Sequence, residues 1–153
     1  MIKYICMEEM MVDMPFMNFM NITRALSDEN RVRILMILRD GEFCVCQITA
    51  FLDLSPSTTS KHLSILKHAR LIEGKKDGKW VYYRLANSAE SYEMARQAIE
   101  WIDRSIGDSP VAKEDAERVR NILEKERERY GIEDCGAHDE FHSVAVHSLE
   151  VID

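Results

Sequence analysis

Apolar positions along the chain change period several times, and each change marks an element. Phe16, Met20 and Thr23 recur at helical spacing, with Asp13 a candidate N-cap and Pro15 in the first turn, so residues 14–26 predict a first helix. From Ser27 to Arg39, Val32, Leu35, Met36 and Leu38 share one side, behind a Ser-Asp cap signal and ahead of Asp40-Gly41, which predicts a second helix. A third is expected from Phe43 to Leu52, with Val45, Ile48, Phe51 and Leu52 inward, small Ala50 at a close helix crossing, and Asp53-Leu54 as its stop. Ser55 and Pro56 then open a fourth helix, with an apolar stripe of Leu63, Leu66 and Leu71 and an outer face of Ser57, Thr58, Lys61 and His62.

Beyond that helix the period shortens to two. Leu71 to Lys76 and Lys79 to Leu85 flank Asp77-Gly78, a type I′ hairpin signal, with Val81, Tyr83 and Leu85 as the inner face. Two amphipathic helices follow, Ser88 to Ile106 and Lys113 to Tyr130, separated by Gly107-Asp108-Ser109-Pro110 and closed by Gly131. In the tail, residues 132–153, Phe141, Val144, Val146 and Val151 suggest a short strand or docked extension. The fold class is therefore mainly α with a small β-wing.

Composition narrows the possibilities. A chain of 153 residues, 46% hydrophobic and 31% charged, with six Gly and three Pro, is long enough to bury its own core. Glu8, Glu9, Asp13, Arg31 and Arg33 interrupt every apolar stretch, so none approaches the roughly 18 uncharged residues of a membrane span. A single Lys3 and the absence of a small-residue cleavage site argue against a secretory signal, and the expected compartment is the cytoplasm. Six of the nine methionines fall between Met7 and Met20, which we read as a flexible apolar helix in a core or dimer seam ahead of a Cu(I) site. The net charge of −7 hides an asymmetry: residues 56–85 carry a net +5, from Lys61, Lys67, Arg70, Lys75, Lys76, Lys79 and Arg84 against Glu73 and Asp77, while residues 86–153 carry −9.

A helix, a tight turn, a polar-faced helix and a Lys-tipped hairpin, in that order, form the winged helix-turn-helix arrangement, which lowers one helix into the major groove and lays the wing on the backbone. Charge alone would favour a solvated helix face; charge with cap, turn, polar face and wing in sequence favours double-stranded DNA. The candidate DNA contacts are Ser57, Thr58, Ser60, Lys61 and His62 on the helix and Lys75, Lys76 and Lys79 on the wing.

Four cysteines are too few for a disulfide scaffold, so Cys44 and Cys46 raise the question of metal or redox chemistry. Soft thiolates select soft ions, and a helix N-terminus favours the deprotonated thiol. Residues i and i+2 point about 200° apart in a helix, so chelation by both sulfurs is expected to distort or unwind the first turn of the third helix. The same two cysteines also fit small buried residues or a thiol-oxidation pair. His138, His142 and His147 with Cys135, Asp139 and Glu150 are too irregularly spaced for a metal site and read as a polar tail. No phosphate-cradling Gly-rich loop, G-x-S-x-G elbow, Cys-x5-Arg loop or C-x-x-C pair occurs, which leaves a thiol oxidoreductase as the competing enzyme class. A winged-helix module that binds only protein is a third class.

The segments Ala25-Leu26-Ser27-Asp28-Glu29-Asn30-Arg31-Val32-Arg33-Ile34-Leu35, Ser60-Lys61-His62-Leu63-Ser64-Ile65-Leu66 and Gly78-Lys79-Trp80-Val81-Tyr82-Tyr83-Arg84-Leu85 resemble the ArsR/SmtB family of metal-responsive repressors, over roughly residues 17–106. The resemblance implies a homodimer paired through its first helix and the helix after the wing, which leaves operator DNA when a soft metal or metalloid binds. Glu42-Phe43-Cys44-Val45-Cys46-Gln47-Ile48-Thr49 is similar to the E-L-C-V-C-D-L box that carries thiolate ligands in arsenic, cadmium and lead sensors of that family. Thr49 stands where the arsenic subtype often has a third cysteine. The zinc-type site of the dimer helix needs His, and Ser88 to Ile106 has none. The expected inducer is As(III) or another thiophilic ion held by Cys44 and Cys46, with Cys6 preferred over Cys135 as the missing ligand and no constitutive cofactor. Residues 1–110 are expected to form the DNA-binding and dimerisation domain and 111–153 a C-terminal helix and tail. The alternative is a thiol-redox-sensing repressor of the same fold.

Overall fold

A computed structural model describes the backbone of residues 2–87 and 93–130 and the side chains of residues 14–87 and 93–129. Helix α1 runs Ile2–Leu26, so the first helix begins well before the predicted residue 14 and Asp13 is not its cap. Met, Ile and Glu before Pro15 are helix-compatible, and Pro15 inside the helix removes only one hydrogen bond from an already formed ladder. The corner into α2, Glu29–Leu38, is built by two side chains. Arg31 donates from Nε to the Ala25 carbonyl (2.7 Å) and from Nη2 to the Arg24 carbonyl (2.8 Å), satisfying the C-terminal carbonyls of α1. Asp28 accepts from the Arg31 backbone N–H (3.1 Å) and caps α2, as the Ser-Asp signal predicted.

The predicted third helix splits. Phe43–Cys44 form a short strand, β1, and α3 covers only Val45–Leu52. The helix α4 is Pro56–His68, with Ser55 as its cap and Pro56 at its first position. Strands β2, Ile72–Asp77, and β3, Trp80–Leu85, form the hairpin, and β1 adds to its other edge to give an antiparallel sheet of order β1-β3-β2. Phe43 faces Tyr83 and Cys44 faces Tyr82; this long-range pairing satisfies backbone groups that a helix would otherwise have used, which is why the helix starts late. Asp77 opposes Trp80, so the loop residues are Gly78-Lys79, and only Gly78 has positive φ (57°). This is a Gly-first two-residue turn rather than the predicted type I′ turn centred on Asp77-Gly78.

The helix α5, Glu93–Ile106, and α6, Pro110–Tyr130, complete the described chain. The predicted start of the fifth helix at Ser88, the stop at Gly131 and the tail with Phe141, Val144, Val146 and Val151 lie outside the described residues. Helix α6 begins before the predicted Lys113, because Ser109 Oγ accepts from the Ala112 N–H (3.2 Å) and Pro110 needs no N–H partner.

A single apolar cluster joins Ile22 and Ala25 of α1, Ile34 to Leu38 of α2, Ile48 and Phe51 of α3, Leu63 and Leu66 of α4, Leu71 and Ile72 at the start of the wing, Ala95 and Ile102 of α5 and Val119 of α6. Ala50 is exposed and not at a helix crossing; the buried polar residue of α3 is Gln47. Helix α6 lies against α2 and α3, where the buried Asp115 receives Arg33 Nε (2.9 Å) and Nη2 (2.6 Å) in a bidentate pair. The Arg33 guanidinium also sits 5.0 Å from the Phe51 ring centroid. Its pKa is raised, chiefly by the hydrogen bonds to Asp115. No helix among the described residues is long and apolar enough to cross a membrane.

Candidate effector site and nucleic-acid interface

Cys44 ends β1 and serves as N-cap of α3 in an extended conformation (φ −75°, ψ 163°), and Cys46 is the second residue of that helix. One cysteine outside the helix and one inside its first turn bring both side chains to the same side, with Cα atoms 5.4 Å apart and the sulfurs joined as a disulfide. The placement of both cysteines in the first turn of a helix is therefore corrected: Cys44 precedes the helix, and the two sulfurs meet with that turn intact. Cys44 is buried and Cys46 exposed, so the site opens to solvent through Cys46.

Three neighbours shape this turn. Glu42 Oε1 receives Arg84 Nη1 (3.3 Å), and Glu73 Oε1 receives Arg84 Nε (2.7 Å), which ties the approach to the thiols to both strands of the wing. The two carboxylates, Glu73 foremost, hold the Arg84 pKa above its ordinary value. Gln47, three residues into α3, accepts the Cys44 backbone N–H on Oε1 (2.9 Å) and donates from Nε2 to Glu126 Oε2 of α6 (2.8 Å). Thr49 lies one turn beyond Cys46, and its Oγ1 is buried without a hydrogen-bond partner. Among the described residues no group of three or more His, Cys, Asp or Glu is arranged to hold a metal. The Cys6 side chain and all of Cys135, His138, His142 and His147 fall outside the described set.

The DNA-facing candidates lie on α4 and the wing. Ser57, Ser60 and Lys61 are exposed and Thr58 is half-buried, with Ser55 Oγ within 3.1 Å of Ser57 Oγ and 2.8 Å of Thr58 Oγ1. His62 is turned inward: its Nδ1 lies 3.7 Å from Asp28 Oδ1, buried and without a hydrogen bond. His68 is exposed. Lys75, Lys76 and Lys79 are exposed on the hairpin, and Lys79 Nζ stands 5.3 Å from the Trp80 ring centroid. Arg84 is ion-paired, while Lys76 and Lys79 are exposed at the tip of the hairpin.

Residues 28–73 match the model of the family described as bacterial regulatory protein, arsR family. The chain carries an ArsR-family domain. That domain holds α2, the thiol turn, α3 and α4, while the lysines of the wing follow it. A 65-residue segment is 43% identical to an arsenic resistance transcriptional regulator of Pseudomonas putida, covering 42% of this chain and 51% of that protein. A 74-residue segment is 39% identical to the arsenical resistance operon repressor of Escherichia coli, covering 48% of this chain and 63% of that protein. The matches thus span between about half and just under two thirds of these relatives. HlyU from Vibrio cholerae superposes with a TM-score of 0.53 at 27% identity, over 63% of this chain and 99% of that chain. A homodimeric winged helix-turn-helix domain from Mycobacterium bovis, 24% identical, shares the fold with a TM-score of 0.52 over 62% of this chain and 83% of that chain. The fold is accordingly the mainly helical winged helix-turn-helix that the sequence predicted.

Gln47, Asp115 and Glu126 escaped the sequence reading. A Gln three residues after an N-cap is a capping signature, which flags Gln47; nothing in the sequence flags its acidic partner 79 residues away.

Proposed function

We propose that the protein is a cytoplasmic, homodimeric transcriptional repressor that binds operator DNA and leaves it when Cys44 and Cys46, as thiolates, bind a soft ion such as As(III). The observation that carries this reading is the meeting of the two sulfurs at the start of α3, on a residue shared with the sheet of the wing. Two thiolates on a tetrahedral ion with bonds of about 2.3 Å stand about 3.8 Å apart, against about 2.05 Å in a disulfide. An ion that takes both thiolates therefore fixes the two sulfurs at one separation, a constraint that free thiols do not impose on the turn. Cys44 stands opposite Tyr82 of β3 in the sheet, and α3 leads through Asp53-Leu54 into α4, so a constraint on the thiol turn reaches both DNA-facing elements. A coupling of about 1–3 kcal/mol, or 5- to 150-fold in DNA affinity, is the expected scale.

On this reading Ser57, Thr58, Ser60 and Lys61 border the major groove, Lys75, Lys76 and Lys79 contact phosphates, and His62 positions α4 against Asp28. Residues 1–110 bind DNA and dimerise, and 111–153 form an extension. Two donors do not complete a site for As(III) or Cd(II), and Cys6 supplies the third. Residue 6 lies twenty residues before the end of the continuous α1, about 30 Å along its axis, so it serves the thiol turn of a partner subunit.

The bonded sulfurs favour a second reading, in which oxidation is the signal: two thiols and a hydroperoxide give the disulfide, an alcohol and water. One experiment separates the two. The reduced full chain, bound to its promoter DNA, is titrated with As(III), Sb(III), Cd(II), Pb(II) or Zn(II), and in parallel with a hydroperoxide, while thiolate charge-transfer absorbance and DNA release are followed. Release by ions, lost in Cys44→Ser and Cys46→Ser while their ion-free DNA binding persists, supports ion sensing. Release by peroxide alone assigns the thiols to redox, and loss of DNA binding by both variants without ions marks the cysteines as packing residues.

A further inference from the structure

The buried amide of Gln47 is held at both ends, and only one orientation of the side chain satisfies both. Its carbonyl must face the Cys44 N–H and its NH2 must face the Glu126 carboxylate, since a flipped amide would set NH2 against N–H and oxygen against oxygen. Gln47 is 8% exposed, so an end left without a partner would remain buried and unsatisfied. The Cys44 N–H is the backbone group nearest the thiol that α3 cannot serve, because Cys44 precedes the helix. A carboxylate on α6 thus fixes an amide on α3, and the amide fixes the backbone on which Cys44 Sγ is mounted. Helix α6 is itself fixed upstream by the Asp115–Arg33 pair and by Val119 in the core, so Glu126 is presented by a docked element.

We propose that Gln47 and Glu126 are positioning residues of the thiol site, through which α6 sets the backbone of Cys44 and so the affinity of Cys44 and Cys46 for an ion. The proposal rests on the ion-sensing reading above and adds to it a dependence on a helix that contributes no ligand. Neither residue touches the ion: Gln47 acts through the Cys44 N–H and Glu126 through Gln47. Partners in the outer shell of metal sites cost about 10- to 100-fold in affinity when removed, because the ligand is then free to leave its binding geometry.

The test is a Cd(II) titration of the full-length reduced chain, without oxygen, against a competing chelator of known affinity, read by thiolate-to-metal absorbance. Glu126→Ala is expected to weaken Cd(II) binding by about tenfold while leaving the absorbance at saturation unchanged, because the number of thiolates stays the same. Glu126→Gln, which keeps an acceptor oxygen facing Gln47, is expected to remain within about twofold of the parent, a rescue that general destabilisation would not give. The Cys44 amide resonance in a 15N spectrum should move in Glu126→Ala and return in Glu126→Gln. Should Glu126→Ala fold poorly, Glu126→Met against Glu126→Gln makes the same comparison at matched side-chain length. Parental Cd(II) affinity in the folded Ala or Met variant overturns the positioning role and leaves ion sensing intact. Absence of a charge-transfer band in the parent chain overturns the ion-sensing reading, and this proposal with it.

Discussion

Thr49→Cys, made in a Cys6→Ser background, tests whether the thiol turn is one donor short. Thr49 follows Cys46 by three residues on α3, and side chains at that spacing are neighbours, with Cβ atoms about 5–6 Å apart. Its hydroxyl is buried without a partner, an arrangement that costs about 1–3 kcal/mol relative to a satisfied or absent group. Replacing Thr by Cys exchanges that hydroxyl for a thiol, which is only a weak hydrogen-bonding group, and removes a methyl group, whose burial contributes about 0.8 kcal/mol. The difference leaves the ion-free protein about 1 kcal/mol more stable in urea unfolding. With ion present, Cys6→Ser alone presents two thiolates, and the thiol added at position 49 restores three, so Cd(II) absorbance per bound ion should rise by about half and affinity by at least about tenfold. Absorbance and affinity equal to those of Cys6→Ser would mean that position 49 does not face the ion, and the placement of the site on this side of α3 would be wrong.

Lys79→Ala should lower the salt slope of DNA binding by about one and weaken all sequences alike, since Lys79 acts at the wing tip through phosphate; an unchanged slope removes the wing from the interface. Asp115→Ala leaves the Arg33 guanidinium without its bidentate partner. Because the Arg33 side chain keeps 22% of its exposure, the loss on urea unfolding should be about 2–3 kcal/mol, below that of a fully buried pair, and a loss under about 1 would show that α6 is held by apolar contacts alone. Glu93, at the start of α5, accepts hydrogen bonds from Arg96 and Gln97 that hold its pKa down to about 2. A depressed folded value means this contribution is complete above the ordinary carboxylate range and is lost as pH falls toward 2, so an NMR titration of the Glu93 carboxyl should give a midpoint near 2, returning toward the ordinary range in Arg96→Ala.

Elements whose stabilising contacts are local were legible in the sequence. Ser55-Pro56 announces α4 because cap and fixed φ act within one turn, and Asp28 announces α2 for the same reason. The Gly78 turn was legible in kind and misplaced by one residue, since the register of Asp77 against Trp80 belongs to two strands together. The start of α3 was not legible: Phe43 and Cys44 have no local preference strong enough to leave the helix, and Tyr82 and Tyr83, some forty residues on, decide the matter. The docking of α6 was hidden likewise, because Arg33 and Asp115 are separated by 82 residues and nothing local pairs them. Gln47 was not among the residues that the apolar period turned inward. Its burial depends on two partners, one a backbone N–H of an N-cap and the other a carboxylate on α6, neither of which a helical period can display.

These misreadings alter the mechanism. A switch that unwinds a helix would act on α3 alone and reach DNA only through α4. The proposed switch at Cys44 would act on a residue that belongs to the sheet and to the helix cap together, so that wing and α4 would respond to one displacement. The distances favour the wing. Tyr82, opposite Cys44, is three residues from Lys79, about 10 Å at strand rise, so a rotation of about 10° at the thiol turn shifts Lys79 by about 2 Å. A shift of that size carries an ammonium from hydrogen-bond distance of a phosphate to beyond it, since such contacts run at about 2.7–2.9 Å. The Arg84 bridge to Glu42 and Glu73 makes the lever stiff by binding β1 to both strands of the hairpin, and it withdraws Arg84 from the DNA-facing charge. In the proposed mechanism the lysines at the tip would carry the phosphate contacts of the wing, and they stand where the displacement would be largest.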